Sequence, residues 1–306
     1  MSPSSTVLDV IPTSPVLGAE ITGIDLSRDF GDREYQFLNE ALLKHRVILL
    51  RDQNLSDDDL LAFSRRFGTL DKAPPNENGK QFVPGYEEIY VISNVIENGV
   101  AIGALGAGEA SWHTDMSFLP DPPLGSVLYS LEVPPSGGDT WFLNMVMAYQ
   151  ALPADLRARV EGLSLKHDST TNSGGFLRHG YERPTDLATS PGTIHPLVIT
   201  HPESGDRALY LGRRLNAYVV GLPIAEGEAL LDELWSHVVK PEFTWAHSWR
   251  KGDLVMWDNR VTMHRRDSFD NQHRRLMHRT QVRARHKASL NAGRPSLLFG
   301  RRPAEE

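Results

Sequence analysis

Two stretches far apart in the chain carry side chains suited to holding one metal ion. The first is Trp112-His113-Thr114-Asp115. In an extended segment, residues two apart point to the same side, so His113 and Asp115 can address one ion together. The second runs from a turn into an apolar strand, Gly252-Asp253-Leu254-Val255-Met256-Trp257-Asp258-Asn259-Arg260, with His264 at the start of the next strand. None of the 306 residues is a cysteine, which excludes disulfides, zinc ribbons and thiolate-bound clusters. Any metal site must therefore be built from nitrogen and oxygen donors. A lone His-X-Asp triplet arises often by chance, and its bland reading is a surface histidine beside a turn carboxylate. A third donor from the far half of the chain changes that balance.

Two histidines and one carboxylate on one face of an ion leave the opposite face open, the geometry that non-haem iron(II) oxygenases use to take up a cosubstrate and dioxygen. Such a cosubstrate with a distant carboxylate needs an anchor, and the planar fork of a guanidinium offers it paired donors. Beyond His264 comes His273-Arg274-Arg275-Leu276-Met277-His278-Arg279-Thr280, in which Arg275 and Arg279 share parity and face the same side of a strand. For this in-phase pair, burial next to an anion is the better account. His273, Arg274 and Arg283 read as a solvated basic edge. Two other readings stay open: a zinc or manganese hydrolase or isomerase with the same ligands, which has no need of in-phase arginines, and a non-catalytic jelly-roll protein that keeps an anion pocket.

A fold that places these groups together must join distant strands. Many short β-rich runs between residues 124 and 282, divided by turn signals such as Pro134-Pro135-Ser136-Gly137-Gly138-Asp139, suit a double-stranded β-helix, a jelly roll of cupin-like form with flanking helices. Helices are predicted from Asp32 to Lys44, from a capping box at Ser56 and Asp59 to Gly68, from about Met145 to Glu161, and from about Ile224 to His237. Gly- and Pro-rich stretches at about 72–88 and 95–111 have the composition of long active-site loops. With no repeat or linker signal, residues 1–306 read as one domain with an N-terminal extension. The formal charge of −7 gives nucleic acid no global field to bind. Neither a signal peptide nor a membrane-spanning run is evident, which makes the cytoplasm the natural compartment and a small molecule the natural partner. The 145–161 and 224–237 helices offer surfaces for a homo-oligomer without any specific signal for one.

The chain resembles the iron(II)/2-oxoglutarate dioxygenases of the taurine dioxygenase and 2,4-dichlorophenoxyacetate dioxygenase (TauD/TfdA) family, from about Val16 to Val282. The likeness rests on Trp112-His113-Thr114-Asp115, Gly137-Gly138-Asp139-Thr140 and Trp257-Asp258-Asn259-Arg260 leading to His264. It implies that His113, Asp115 and His264 hold iron, that Thr140 and Arg275 hold the far carboxylate of 2-oxoglutarate, and that Arg279 lies near its inner carboxylate and the substrate's acid group. It also implies the reaction: with dioxygen, 2-oxoglutarate becomes succinate and carbon dioxide while a small organic anion is hydroxylated. Where the hydroxylated carbon bears a heteroatom, the product breaks at the C–O or C–S bond. Taurine-specific members carry a histidine in the loop that here reads Ala73-Pro74-Pro75-Asn76-Glu77-Asn78, which has none, so taurine is disfavoured. Gly221 to Gly227 and Ile92 to Val95 look closer to the aryloxyacetate-cleaving branch, which leans toward a carboxylate-bearing aromatic or ether and leaves a sulfonate or related acid as the other substrates the resemblance implies. Asn94, Met116, His167 and Arg279 are the candidate substrate contacts, while His195 and His201 read as structural or surface residues.

Overall fold

A computed structural model describes residues 7–75, 79–178 and 180–284; positions 76–78 of the first predicted loop lie outside the described residues. Its centre is a pair of facing sheets. The larger has nine strands, in the order Asp9–Pro12, Ala19–Thr22, Val47–Leu50, Leu254–Asp258, Gly125–Glu132, Leu276–Ala284, Tyr90–Ser93 and Ala104–Leu105, with Gly68–Leu70 also pairing to Leu276–Ala284. The smaller has four antiparallel strands in the order Thr244–His247, Thr140–Asn144, Thr262–Arg266 and Ala110–His113. In both sheets most neighbouring strands are distant in the sequence, the strand exchange of a jelly roll.

The period-2 alternation of each strand decides what lies inside. From the larger sheet Val47, Leu49, Leu128, Val255, Trp257 and Met277 point inward to meet Phe142 of the smaller one. The intervening Ile48, Leu50, Val127, Leu254 and Met256 point outward and are covered by the helices Asp32–His45 and Asp57–Phe67 through Leu38, Leu42, Leu60 and Phe63. Strands apolar on both faces are therefore buried on both faces, which is why Val47–Leu50 reads as a continuous hydrophobic run. The outer face of the smaller sheet, with Leu143 and Met263, packs on Val146, Leu156, Leu230 and Leu234 of three helices. The predicted capping box forms: the Ser56 hydroxyl accepts the Asp59 amide at 3.2 Å, and the Asp59 carboxylate accepts the Ser56 amide at 2.9 Å.

One predicted helix is two. The 145–161 stretch is broken into Met145–Gln150 and Ala154–Val160, because Pro153 has no amide hydrogen to continue the first helix and instead begins the second. A further three-stranded sheet, Gly192–Pro196, Ser164–Asp168 and Tyr218–Val220, lies outside the main pair. Among the described residues no helix is long and apolar enough to cross a membrane.

The end of Leu254–Asp258 is fixed by a buried ionic knot. Asp258 accepts from Arg260 at 2.6 and 2.9 Å and from His201 at 2.9 Å, and Arg260 also donates to Glu203 at 2.7 Å. Burial alone would raise the Asp258 carboxyl; Arg260 and His201 overcome this and hold it far below the usual carboxylate range. Neutralising Asp258 leaves buried Arg260 with only the exposed Glu203 as an ion-pair partner. Asp258→Asn is therefore expected to lower unfolding free energy by about 3–5 kcal/mol. Urea denaturation measures this, and a loss under about 1 kcal/mol would show that the knot is dispensable.

Candidate active site

His113 ends the strand Ala110–His113 and lies directly across from His264, which in turn lies across from Phe142. The two imidazoles are consequently 4.2 Å apart by ring centroids. The His113 Nδ1–H donates to the Ser111 carbonyl at 2.7 Å, which leaves the Nε2 lone pair facing Asp115 Oδ1 at 3.6 Å. His264 Nε2 lies 3.9 Å from Asp115 Oδ2. Burial, followed by the charge of neighbouring His113, pushes the His264 pKa well below 6.5, so the ring is neutral. Burial would raise Asp115, but Arg279, His264 and His113 outweigh it and keep the carboxylate ionised. Donor atoms of all three residues lie within 4.8 Å of one another. Three lone-pair donors turned toward one point repel each other unless a cation sits between them, so the donor set fits a divalent metal held on one face.

Asp115 owes its position to Asn259. The Asn259 side chain accepts the Asp115 amide at 2.8 Å and donates to the Asp115 carbonyl at 2.9 Å and the Pro123 carbonyl at 3.2 Å. The carboxylate also accepts the Ser126 hydroxyl at 2.8 Å. The next residue, Met116, has a positive φ of 48° that turns the chain away from the strand.

Arg275, just ahead of the strand Leu276–Ala284, is 1% exposed and lies 6.0 Å from the rings of both Trp249 and Phe269. Its Nε has no acceptor among the described residues, and burial first, then the nearby Arg266 charge, pulls its pKa down to about 9. Thr140 pairs across the strands with Arg266 and accepts the Trp249 indole N–H at 3.0 Å. The Gly138 turn leading to Thr140 has φ 71°, and a Cβ there would crowd Phe269 at 3.3 Å and Arg275 at 3.4 Å. Arg275, Arg266 and Thr140 thus converge with no carboxylate ion-paired to either arginine among the described residues. Sequence reading missed Arg266, although it shares the parity of His264 and so faces the same side. Arg279 reaches Asp115 Oδ1 at 3.3 Å.

A cavity of about 620 Å³ joins these groups, lined by the triad, Thr140, Met116 and the cations Lys72, Arg178, Arg213, Arg266, Arg275 and Arg279. Residues 72, 74, 75 and 105 of the two long loops contribute to its wall. The structure puts two sequence candidates elsewhere. Asn94 spends its side chain on the Arg275 amide at 2.9 Å and the His273 carbonyl at 2.9 Å, clamping the arginine segment. His167 is sealed in a ring cluster with His195 and Tyr210, 5.2 and 5.3 Å away, and packs beneath Gly212. His195 donates to or accepts from the backbone at Leu119, and buried His201 serves the Asp258 knot.

Residues 9–281 match the family model described as taurine catabolism dioxygenase TauD, TfdA family. The chain is 37% identical over 275 residues to the alpha-ketoglutarate-dependent 2,4-dichlorophenoxyacetate dioxygenase of Cupriavidus pinatubonensis, covering 88% of this chain and 95% of that one. It is 35% identical over 289 residues to pentalenolactone F synthase of Streptomyces avermitilis, covering 89% and 93%. The crystal structure of AAD-2 in complex with Mn(II) and N-oxalylglycine superposes with a TM-score of 0.74 at 29% identity, covering 92% of this chain and 99% of that one. The chain belongs to the TauD/TfdA family of dioxygenases dependent on iron(II) and 2-oxoglutarate (alpha-ketoglutarate).

The sealed His167 gives a measurable pH dependence. Burial, then neighbouring His195 and Arg213, push its pKa well below 6.5, and neither ring nitrogen has a hydrogen-bond partner among the described residues. The unfolded chain takes up a proton below about pH 6.5 that the folded chain refuses, so this contribution to stability is intact above that pH and declines below it, by about 1.4 kcal/mol per pH unit. Replacing His167 by Met should remove about 1 kcal/mol of the change in unfolding free energy between roughly pH 6.5 and 5.5. Parallel urea curves for both proteins over this range would contradict a neutral buried His167.

Proposed function

We propose that this dioxygenase hydroxylates a small organic anion, an aryloxy or ether carboxylate or a related sulfonate or sulfate ester. The observation that carries the reading is the charge of the cavity: six cationic side chains line it against one carboxylate, Asp115. Such a cavity favours an anionic cosubstrate and an anionic substrate together. The two relatives differ in what their names say they act on or make, so they narrow the reaction more than the substrate. The 73–78 loop without histidine argues against taurine.

His113, Asp115 and His264 are the proposed iron ligands. Bound iron(II) would supply the redox chemistry that couples conversion of 2-oxoglutarate and dioxygen to succinate and carbon dioxide with hydroxylation of the substrate. Arg275, with Thr140 and Arg266 beside it, would hold the far carboxylate of 2-oxoglutarate, since buried guanidinium donors without an ion-pair partner gain most from a bidentate carboxylate. Arg279 keeps Asp115 ionised and, being beside that ligand, would meet the inner carboxylate. Met116 and Tyr90 give the cavity apolar wall that excludes water and confines the substrate's body. If the hydroxylated carbon carries an ether or ester oxygen, the product falls apart to a carbonyl compound and the freed alcohol, phenol or sulfate.

Anaerobic addition of iron(II) and 2-oxoglutarate should give a weak visible charge-transfer absorption, and His264→Ala should abolish it. Wild-type protein without the band would sink the assignment. In Arg275→Lys the band should survive, with the 2-oxoglutarate concentration for half-saturation raised at least about tenfold, because a point charge cannot reproduce the paired donors of the fork. An unchanged half-saturation would remove Arg275 from its role. Succinate release across aryloxy acids, sulfonates, sulfate esters and amino acids then identifies the substrate class.

A further inference from the structure

Three cations in the cavity have no place in the scheme above, and one of them, Lys72, is already paired with Glu87. Arg178 and Arg213 come from separate segments yet meet at one atom: Arg178 Nε donates to the Thr171 carbonyl at 3.2 Å, and Arg213 Nη1 donates to the same oxygen. Neither forms an ion pair with a carboxylate among the described residues, and Arg213 Nε is buried without an acceptor. Burial lowers both pKa values, that of Arg213 to about 10 with the Arg178 charge adding to it. Both guanidiniums are locked in place. Arg178 lies over the Phe118 ring at 4.1 Å, while the Arg213 backbone bridges to His113. Gly212, before Arg213, accepts the Thr114 amide at 2.8 Å, and at φ 63° a Cβ there would fall 2.0 Å from His167 Nδ1. A side chain at Gly212 would therefore collide with the buried His167 ring.

This pair is separate from the Arg275 seat. Arg275 feels the charge of Arg266, whereas Arg178 and Arg213 both feel Asp115 and Asp168, and Arg213 also feels Arg178. The triad carboxylate therefore lies within electrostatic range of the Arg178–Arg213 pair. Arg279 already has a carboxylate partner in Asp115 at 3.3 Å. Holding two like charges at one carbonyl in a buried setting is costly unless an anion joins them.

We propose that Arg178 and Arg213 form a second anion seat that binds the acid group of the primary substrate, a carboxylate or sulfate-type oxyanion, and thereby sets which acids the enzyme accepts. This rests on the reading under Proposed function and deepens it. Two guanidinium forks on one oxyanion hold the substrate by its acid end on the His113 side. Tyr90, Met116 and Leu177 then offer apolar wall to the remainder of the molecule.

The test uses the protein loaded with iron(II) and saturating 2-oxoglutarate under anaerobic conditions, so that the Arg275 seat is filled. Calorimetric titration with sodium sulfate at constant ionic strength should show saturable binding, weakened at least about tenfold in Arg178→Gln and in Arg213→Gln. For whichever acid the succinate assay finds converted, KM should rise at least about tenfold in each variant while kcat changes less. The charge-transfer band of both variants should appear at the wild-type 2-oxoglutarate half-saturation, which also certifies their folding. Arg178 is half-exposed, so its variant answers the question even if the Arg213 turn does not tolerate change. The second seat is overturned if wild-type protein binds no sulfate, if Arg178→Gln binds it as tightly as wild type, or if the variants shift the 2-oxoglutarate half-saturation instead. Absence of the band in wild-type protein would defeat the dioxygenase site itself; its presence with unmoved sulfate affinity would defeat the second seat alone.

Discussion

The site depends on one register. Antiparallel pairing sets His264 between Phe142 and His113 in adjacent strands, and a slip by one residue would turn His264 out into the helix-covered core and bring Met263 or Arg265 inward. The pairing is secured by packing on both sides: Phe142 and Trp257 lie 5.6 Å apart inside, and Leu143 and Met263 are buried outside. The metal ligands are thus a by-product of the same alternation that builds the hydrophobic layers. Rigid strands supply two ligands and a turn, pinned by Asn259, supplies the third.

Electrostatics then shapes the cavity. Arg275, Arg266 and Arg213 are each pulled below the ordinary guanidinium pKa by burial, and none is matched by an internal carboxylate ion pair among the described residues. The protein stabilises these charges incompletely, with aromatic faces around Arg275, backbone carbonyls of Leu105 and Gly108 at Arg266, and the Thr171 carbonyl at Arg213. Incomplete neutralisation is what a preorganised anion site requires, because the missing partner is the ligand. Asp115 is the exception, and its pairing with Arg279 keeps it a strong metal donor.

Much of this was legible in the sequence because strand parity is a local rule. The His-X-Asp spacing, the in-phase Arg275 and Arg279, the capping box at Ser56 and the succession of short strands follow from residue order alone, and the triad comes together as expected. Parity gives a face but not a neighbour. Asn94 was expected to touch substrate, yet it turned out to clamp the Arg275 backbone, and His167 is sealed behind Gly212. Arg178 and Arg213 could not be read because they leave irregular segments where no period applies; only the folded chain shows them meeting at Thr171. Arg266 was readable from its parity with His264 and was overlooked. The break of the 145–161 helix was legible too, in Pro153.

The Asp258 knot has a consequence beyond holding a strand end. Glu203 lies in the exposed turn between Val198–Thr200 and Arg207–Leu209, and from it a continuous chain of contacts runs through Arg260 and Asp258 to neighbouring Asn259, and from Asn259 to both sides of the Asp115 peptide. A solvent-facing hairpin is thereby wired to the geometry of the catalytic centre. The Glu203 contact at that turn therefore bears on how firmly Asp115 is held in the interior.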